Sequence, residues 1–556
     1  MHKNYPSPSQ RSAACQPGPS DGGAKVAEGW FSRGISAVNR RTRRALRRFE
    51  RIEAGRSVQL AVDWLGDRQR DGGFAPGSVE RDCCPGLTAA LMPTLLDLGQ
   101  HETAMNSAAW LVRAQQPDGS FADATEQGQS LFHTALGLRA FLAMQELNPD
   151  LETMAWRAAI FLANSIAGDG RMKIPTHGNS VDRWAAETFL LAVLPPLRAA
   201  AVRFDEPRWR EAATKAARRL LREWSVDHRS SVDFLFTTEL EALVDLGFHD
   251  EVQAALRAME AVQRRDGTLP TDLGVGRLSV RATGQLATVW LKLGNHEPAQ
   301  RALAYLRRQQ QGDGSLSEYG GRRMTRRRRA AVWGLHHFLE ASRLEVQAAF
   351  EADFAQLPET IEAEDGRVTA LYQWAAHLDH HARIADVGCG SGRMLKHLQQ
   401  WLPEAMLTGV DGAVRMLDRL PSNVEARQGN LLNLPLADES FDGVLCIEAL
   451  EHALLPHRAV DELCRIVRPG GQVLIIDKHR RRQPLSLHAP WERWFEPDEV
   501  CRWLARHCRD VTVRPVSHGT RRPSDGLFLC WQGVRRTDRV AFPTPDHRPV
   551  QEKEAA

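Results

Sequence analysis

No Cys-x-x-Cys pair occurs anywhere in the chain, which holds only nine cysteines and four tyrosines in 556 residues. Cysteines this sparse and unpaired exclude a disulfide-built scaffold and a zinc ribbon; they fit a reducing compartment, so the cytoplasm is the expected location. Long apolar runs are missing as well. The longest, around Phe189 to Val202, is broken by Pro195-Pro196 and is too short to span a bilayer. No stretch reads as a signal-peptide core. Excess charge of one sign is also absent, the net value being +3, so charge alone names no partner.

What is present suits two soluble domains. The composition is 43% hydrophobic and 25% charged, enough to bury two ordinary cores. Residues 1–30 are rich in Pro, Ser and Gly and residues 536–556 are polar, so both are expected to be disordered tails. Arginines cluster at Arg40–Arg48, Arg322–Arg329 and Arg480–Arg482. Such runs can contact phosphates peripherally, but few aromatics accompany them and no RNA-binding module is evident, which makes a nucleic-acid partner the weaker reading.

The first 345 residues repeat. Trp64-Leu-Gly-Asp-Arg-Gln69-Arg-Asp71-Gly-Gly-Phe74 recurs as Trp110 through Gln115 to Asp118-Gly-Ser-Phe121, and as Tyr305 through Gln309 to Asp313-Gly-Ser-Leu316. Weaker copies surround Asp169 and Asp266, and Trp224 to Asp227 is the expected remnant of another. Asp-Gly positions 71, 118, 169, 266 and 313 lie 47, 51, 97 and 47 apart, which implies six units of about 48 residues. The intervening segments, such as Thr88–Leu96 and Thr283–Leu291, have helical spacing and no strand pattern. This region resembles the repeats of squalene and terpene cyclases and of prenyltransferase β-subunits. That resemblance implies an all-α (α/α)6 toroid over residues 31–345, in which the Gln and Asp-Gly residues tie helix ends together. The cyclases' Asp-x-Asp-Asp is lacking, Gly168-Asp169-Gly and Thr271-Asp272 being isolated, and the prenyltransferase zinc set has no counterpart. Asp82-Cys83-Cys84 is a poor ligand pair. The toroid is therefore read as a binding module, with Asp82, His133, His177, Asp182, Arg183 and Trp184 as candidates near its mouth.

The C-terminal third carries chemistry. Ile384-Ala-Asp386-Val-Gly388-Cys389-Gly390-Ser-Gly392 is an apolar strand entering a glycine turn, followed by a helical stretch from Arg393. Glycines there let backbone approach a ligand at a helix N-terminus. A second strand, from Met406, ends on Asp411; Asn430-Leu431 precedes Leu434-Pro435; Phe441–Ile447 is a fourth strand; Pro469-Gly-Gly leads into Gln472–Asp477. In this order the motifs resemble the class I S-adenosylmethionine-dependent methyltransferases, of the type 11, quinol O-methyltransferase kind. The resemblance implies a doubly wound α/β domain over residues 346–535, and S-adenosyl-L-methionine held by Asp386, Gly388, Cys389, Gly390, Gly392, Asp411, Gly412, Asn430, Leu431 and Ile447. Asp411 would take the ribose hydroxyls. Asn430 stands where the family usually has an acidic residue beside the adenine.

Glu448-x-x-Glu451-His452 resembles a segment that holds magnesium in ubiquinone-pathway and small-RNA 2′-O-methyltransferases. If a helix begins here, Glu448, Glu451 and His452 converge on one cation; otherwise His452 lines the pocket and the glutamate caps the next helix. His488, before Pro497-Asp-Glu499, resembles the substrate-side histidine of the quinol-type enzymes. Either His488 or His452 is a candidate base. The expected function is methyl transfer to a hydroxyl of a small molecule, isoprenoid-linked, quinol or sugar-linked. The alternatives are a metal-assisted RNA 2′-O-methyltransferase, or a scaffold toroid with a tethered methyltransferase.

Overall fold

Helical spacing of apolar residues before residue 354 becomes a set of paired helices. The computed structural model describes residues 53–537 apart from 78–81, 123–127, 146–147, 174–188, 225–233, 271–277, 318, 321–331, 354–357, 485–486, 488 and 521–525. Its N-terminal part contains α1 (Ala54–Gly66), α2 (Pro85–Asp97), α3 (His101–Ala114), α4 (Leu131–Met144), α5 (Leu151–Asn164) and α6 (Leu190–Arg203). These are followed by α7 (Pro207–Glu223), α8 (Phe234–Leu246), α9 (His249–Val262), α10 (Val280–Lys292), α11 (His296–Gln309) and α12 (Val332–Asp353).

Helices α2, α4, α6, α8, α10 and α12 each touch the next, and α12 touches α2. The odd-numbered helices α3 to α11 each pack on the even-numbered helix before them, and α1 packs on α12. Sequence explains which set is central. Helix α2 buries Gly86 to Met92 without a break, whereas α3 buries only Ala104, Ser107, Ala108 and Leu111, one stripe at i, i+3, i+4, i+7.

One side-chain bond recurs between neighbouring pairs. The amides of Gln69, Gln115, Gln263 and Gln310 donate to the carbonyls of Thr103, Met154, Pro298 and Ser57 at 2.8, 3.0, 3.0 and 2.9 Å. In the third of the clear copies the amide that bonds is Gln310, which follows Tyr305 by five residues as Gln69 and Gln115 follow Trp64 and Trp110, and not the expected Gln309. The Asp-Gly glycine that follows is forced by close approach: at Gly314, with φ of +90°, a Cβ would lie 1.9 Å from the Leu60 carbonyl oxygen of α1. The aspartates bend the turn instead of binding anything, Asp118, Asp266 and Asp313 each accepting from a Ser or Thr two residues on. Trp224, the expected repeat remnant, ends α7, while Asp227 lies outside the described residues. Pro195-Pro196 interrupt the apolar run without ending the helix: α6 continues through both. Among the described residues no helix is long and apolar enough to cross a membrane.

The C-terminal part is a seven-stranded sheet of β1 (Arg383–Val387), β2 (Met406–Asp411), β3 (Glu425–Gln428), β4 (Phe441–Ile447), β5 (Val467–Lys478), β6 (Cys508–Val516) and β7 (Phe528–Arg535). Their order is β6-β7-β5-β4-β1-β2-β3, with β7 antiparallel to both neighbours and β1 to β5 parallel. Helices α13 (Gly366–Ala375), α14 (Arg393–Trp401), α15 (Val414–Leu417), α16 (Pro456–Ile466) and α17 (Pro497–Leu504) complete a doubly wound α/β domain.

Strand alternation divides this sheet between two cores. Ile384, Leu445, Ile447, Leu474 and Ile476 face α13 and α14 in one apolar cluster. Ala385, Val387, Val444, Cys446, Val473 and Ile475 point the other way, into a cluster continuous with the N-terminal helices. The two domains thus share a core, contrary to the expectation of two separate ones. The boundary expected between residues 345 and 346 falls inside α12, which runs unbroken from Val332 to Asp353.

Candidate active site under a helix from the other domain

β1 ends at Val387, and Gly388 and Cys389 donate backbone N–H bonds to the Val410 carbonyl at 2.8 and 3.0 Å, which pins the glycine turn to β2. Gly388 has φ of +76° and no room for a side chain, a Cβ there lying 2.3 Å from that of Ala449. Gly390, at φ of +53°, meets nothing within 4 Å, so its bare backbone borders open space. Asp411 clamps the turn from the end of β2: one oxygen accepts from the Gly390 N–H and the other from the Ala413 N–H, both at 2.9 Å.

Behind the turn lies Asp386, 2% exposed, with its Oδ2 buried and unpartnered. Burial first, and the like charge of Asp411 second, outweigh Arg393 and push its carboxyl up to about 7. Such a group is completed by a cation or a donor. Burial likewise raises Asp411, against the bonds from Ala413 and Gly390.

These residues border a cavity of about 450 Å³. Asp386, Gly388, Cys389, Gly390, Asp411, Gly412, Asn430, Leu431 and Ile447 all line it, as the sequence order implies. Gly392 does not; it caps the N-terminus of α14 in the left-handed conformation. Asn430 also fastens the two domains: its amide nitrogen donates to the Asp97 carbonyl of α2 and its oxygen accepts from Leu432 N at 3.0 Å. Sequence reasoning missed the roof altogether. Asp97, Arg343, Val346, Gln347 and Phe350 reach the cavity from α2 and α12. Arg343 pairs with Asp97 at 3.1 Å, and the Gln347 amide donates to Gly412 O at 3.4 Å. Nothing in a local window marks these residues, because they belong to the other domain.

Glu448, Glu451 and His452 are not brought together as a metal site. No α-helix starts there: Glu448 takes φ of +56° and Leu450–His452 form a single 3₁₀ turn, the helix beginning only at Pro456. The Glu448 carboxylate goes to Arg367, and to Arg393 at 3.4 Å. Burial pushes it up, but those guanidiniums prevail and hold it below the usual carboxylate range. Glu451 turns the other way, to Lys478 at 2.9 Å, which also meets Glu492 at 3.1 Å. His452 lines the cavity against the edge of Phe350, with its Nε2 3.2 Å from Glu451 Oε1 and its Nδ1 buried and unpartnered. His488 lies outside the described residues. Arg480–Arg482 form an exposed turn that does not line the cavity. The other arginine runs, and His177, Asp182, Arg183, Trp184 and Thr271-Asp272, also lie outside the described residues. Asp82 is exposed, and His133 is buried with Nδ1 3.2 Å from Ala122 O and Nε2 4.0 Å from the Cys84 thiol.

Residues 385–475 match the family model described as "Methyltransferase domain". The C-terminal domain is an S-adenosylmethionine-dependent methyltransferase domain. Similar sequences include the demethylmenaquinone methyltransferase of Roseiflexus castenholzii, 35% identical over 114 residues that make up 20% of this chain and 48% of that protein. The ubiquinone biosynthesis O-methyltransferase of Alkalilimnicola ehrlichii is 31% identical over 165 residues, 24% of this chain and 66% of that one. The chain thus spans 48% to 66% of the length of these curated relatives. Among solved structures, phosphoethanolamine N-methyltransferase 2 of Haemonchus contortus aligns at 14% identity and a TM-score of 0.27, over 30% of this chain and 52% of that one.

The site fits S-adenosylmethionine. Asp386, with a bare buried oxygen, suits the ligand's ammonium group, Asp411 retains acceptor capacity for ribose hydroxyls, and the open face of Gly390 admits close backbone contact.

Proposed function

We propose that this protein transfers the methyl group of S-adenosylmethionine to a hydroxyl oxygen of a small molecule. The observation that carries the reading is the unpartnered pair inside one cavity: Asp386 Oδ2 on the cofactor side and His452 Nδ1 beneath Phe350. The sulfonium supplies an activated methyl. Asp386 and Asp411 would fix its donor, and α12 covers one side of the cavity. His452 receives the acceptor's hydroxyl proton at Nδ1 as the new O–CH3 bond forms, the S–CH3 bond breaks and its electron pair returns to sulfur. Glu451, itself held by Lys478, orients the ring through Nε2. Alignment of oxygen, methyl and sulfur supplies much of the rate.

The helical region is read as an (α/α)6 toroid that binds the acceptor or positions it. Supporting this are the closed order of helix contacts and the Gln310 to Ser57 bond between the last repeat and the first helix. A hydroxyl acceptor is favoured by the likeness to an O-methyltransferase. The metal-assisted RNA reading is disfavoured, because the carboxylates it needs are ion-paired to Arg367 and Lys478.

Titration of S-adenosylmethionine into the full chain, with and without chelator, tests the reading, followed by labelled-methyl transfer to quinol, phenolic and sugar hydroxyls. Chelator-indifferent binding and an acid-stable methyl ether product support it. Absence of binding, or a label found only on nitrogen or carbon, overturns it.

A further inference from the structure

The even-numbered helices enclose a second cavity of about 430 Å³. Phe132, Leu136, Leu142, Pro195 and Pro196 make one apolar wall. Helix α12 presents His336, His337 and Glu340 on the facing side, each buried to within 4% of full enclosure. One turn of helix separates Glu340 from the two histidines, which places all three on one face.

Four of their polar atoms have no hydrogen-bond partner. His336 Nδ1, both ring nitrogens of His337 and Glu340 Oε2 are buried without a hydrogen-bond partner, although Glu340 Oε1 accepts from Arg139 at 2.7 Å. One ligand atom from each residue lies within 4.8 Å of the others; His336 Nε2 and His337 Nδ1 stand 3.6 and 4.0 Å from Glu340 Oε2.

We propose that His336, His337 and Glu340 hold one divalent transition-metal ion of the zinc type, with open coordination positions facing the cavity. Two imidazoles and a carboxylate suit zinc-like ions, whereas magnesium and calcium prefer all-oxygen sites. Bonds of about 2.1 Å put tetrahedral ligands roughly 3.4 Å apart, so the present spacing closes with small side-chain rotations. Three protein ligands leave a position for an exogenous one. Its chemistry follows from the surroundings. Glu340 is paired with Arg139, and Glu241 and Asp245 with Lys292, while the Arg281 guanidinium over Trp333 adds a further cation at the cavity, so the added charge calls for an anionic or strongly polarised oxygen. The apolar wall opposite accepts the hydrocarbon of the same molecule. The site uses none of the methyl-transfer residues and stands independently of that reaction.

The test is zinc titration into chelator-stripped full-length protein, with H336A, H337A and E340Q beside it, and S-adenosylmethionine binding as the check on folding. The expected result is one zinc per chain. Loss of a ligand should weaken it roughly 100-fold or more, since even outer-shell partners are worth roughly 10- to 100-fold. Absence of stoichiometric binding, or binding unchanged in both histidine variants, overturns the site. Should a variant misfold, cobalt replaces zinc in the wild-type chain. A spectrum free of a thiolate charge-transfer band supports the His-His-Glu set, and a thiolate band overturns it by assigning the metal to cysteine.

Discussion

The side-chain amide of Gln310 donates to the backbone carbonyl of Ser57 at 2.9 Å, joining positions 253 residues apart with the same bond that links neighbouring repeats. A second bond, to Gly314 O at 3.0 Å, holds the amide in place. Q310A should therefore lower unfolding free energy by about 1–3 kcal/mol, while Q309A should leave it nearly unchanged. Chemical denaturation of the two variants checks this, and equal losses would refute the register.

Asp386 should set the pH range of cofactor binding. With its carboxyl pushed up to about 7 by burial and by Asp411, the free protein holds it increasingly protonated below that pH. A neutral carboxyl attracts an ammonium weakly, so affinity for S-adenosylmethionine should fall by up to about tenfold per pH unit below 7 and level off above it. D386N should flatten the profile and bind at least about tenfold more weakly. Calorimetry from pH 5.5 to 8.5 (on the order of six points) resolves both effects; a profile as steep in D386N as in the wild type would place the titrating group elsewhere.

His452 is assigned to the acceptor, so H452A should reduce kcat roughly 10²- to 10⁴-fold with little change in cofactor affinity. Chelator should not alter the wild-type rate, because Glu448 and Glu451 are bound to Arg367 and Lys478. A chelator-sensitive rate restored by magnesium would return those carboxylates to a metal.

Arg367 lies 4% exposed between Asp365, at 2.8 Å, and Glu448. R367M leaves buried Asp365 without its cation and Glu448 with Arg393 alone, and should cost about 3–5 kcal/mol, far more than a surface pair. Replacing Arg113, which pairs with Asp71 in the open, should cost about 1 kcal/mol or less. Denaturation midpoints of the two variants should separate clearly.

A fragment beginning at Val346 should fail to bind S-adenosylmethionine tightly. It lacks Asp97 and Arg343 from the cavity roof and exposes the sheet face that packs on the N-terminal helices. One beginning at Glu53 should bind as the full chain does. Equal affinity of the two would show that the shared core contributes nothing to the site.

The sequence by itself determined the elements with strong local causes. Glycines 388 to 392 can turn where side chains cannot, Asp411 follows at the end of an alternating strand, and the Gln and Asp-Gly positions recur with the helix pairs they join. Each of these is written within a window of a few dozen residues. The magnesium expectation failed because spacing assumed a helix at Glu448, where a left-handed residue and the distant cations Arg367 and Lys478 direct the carboxylates apart. Tertiary structure alone decided that α12 is at once the last central helix, the carrier of His336, His337 and Glu340, and the roof of the cofactor cavity. Helical periodicity says that α12 has an apolar face; which of two domains that face meets depends on the packing of segments hundreds of residues apart.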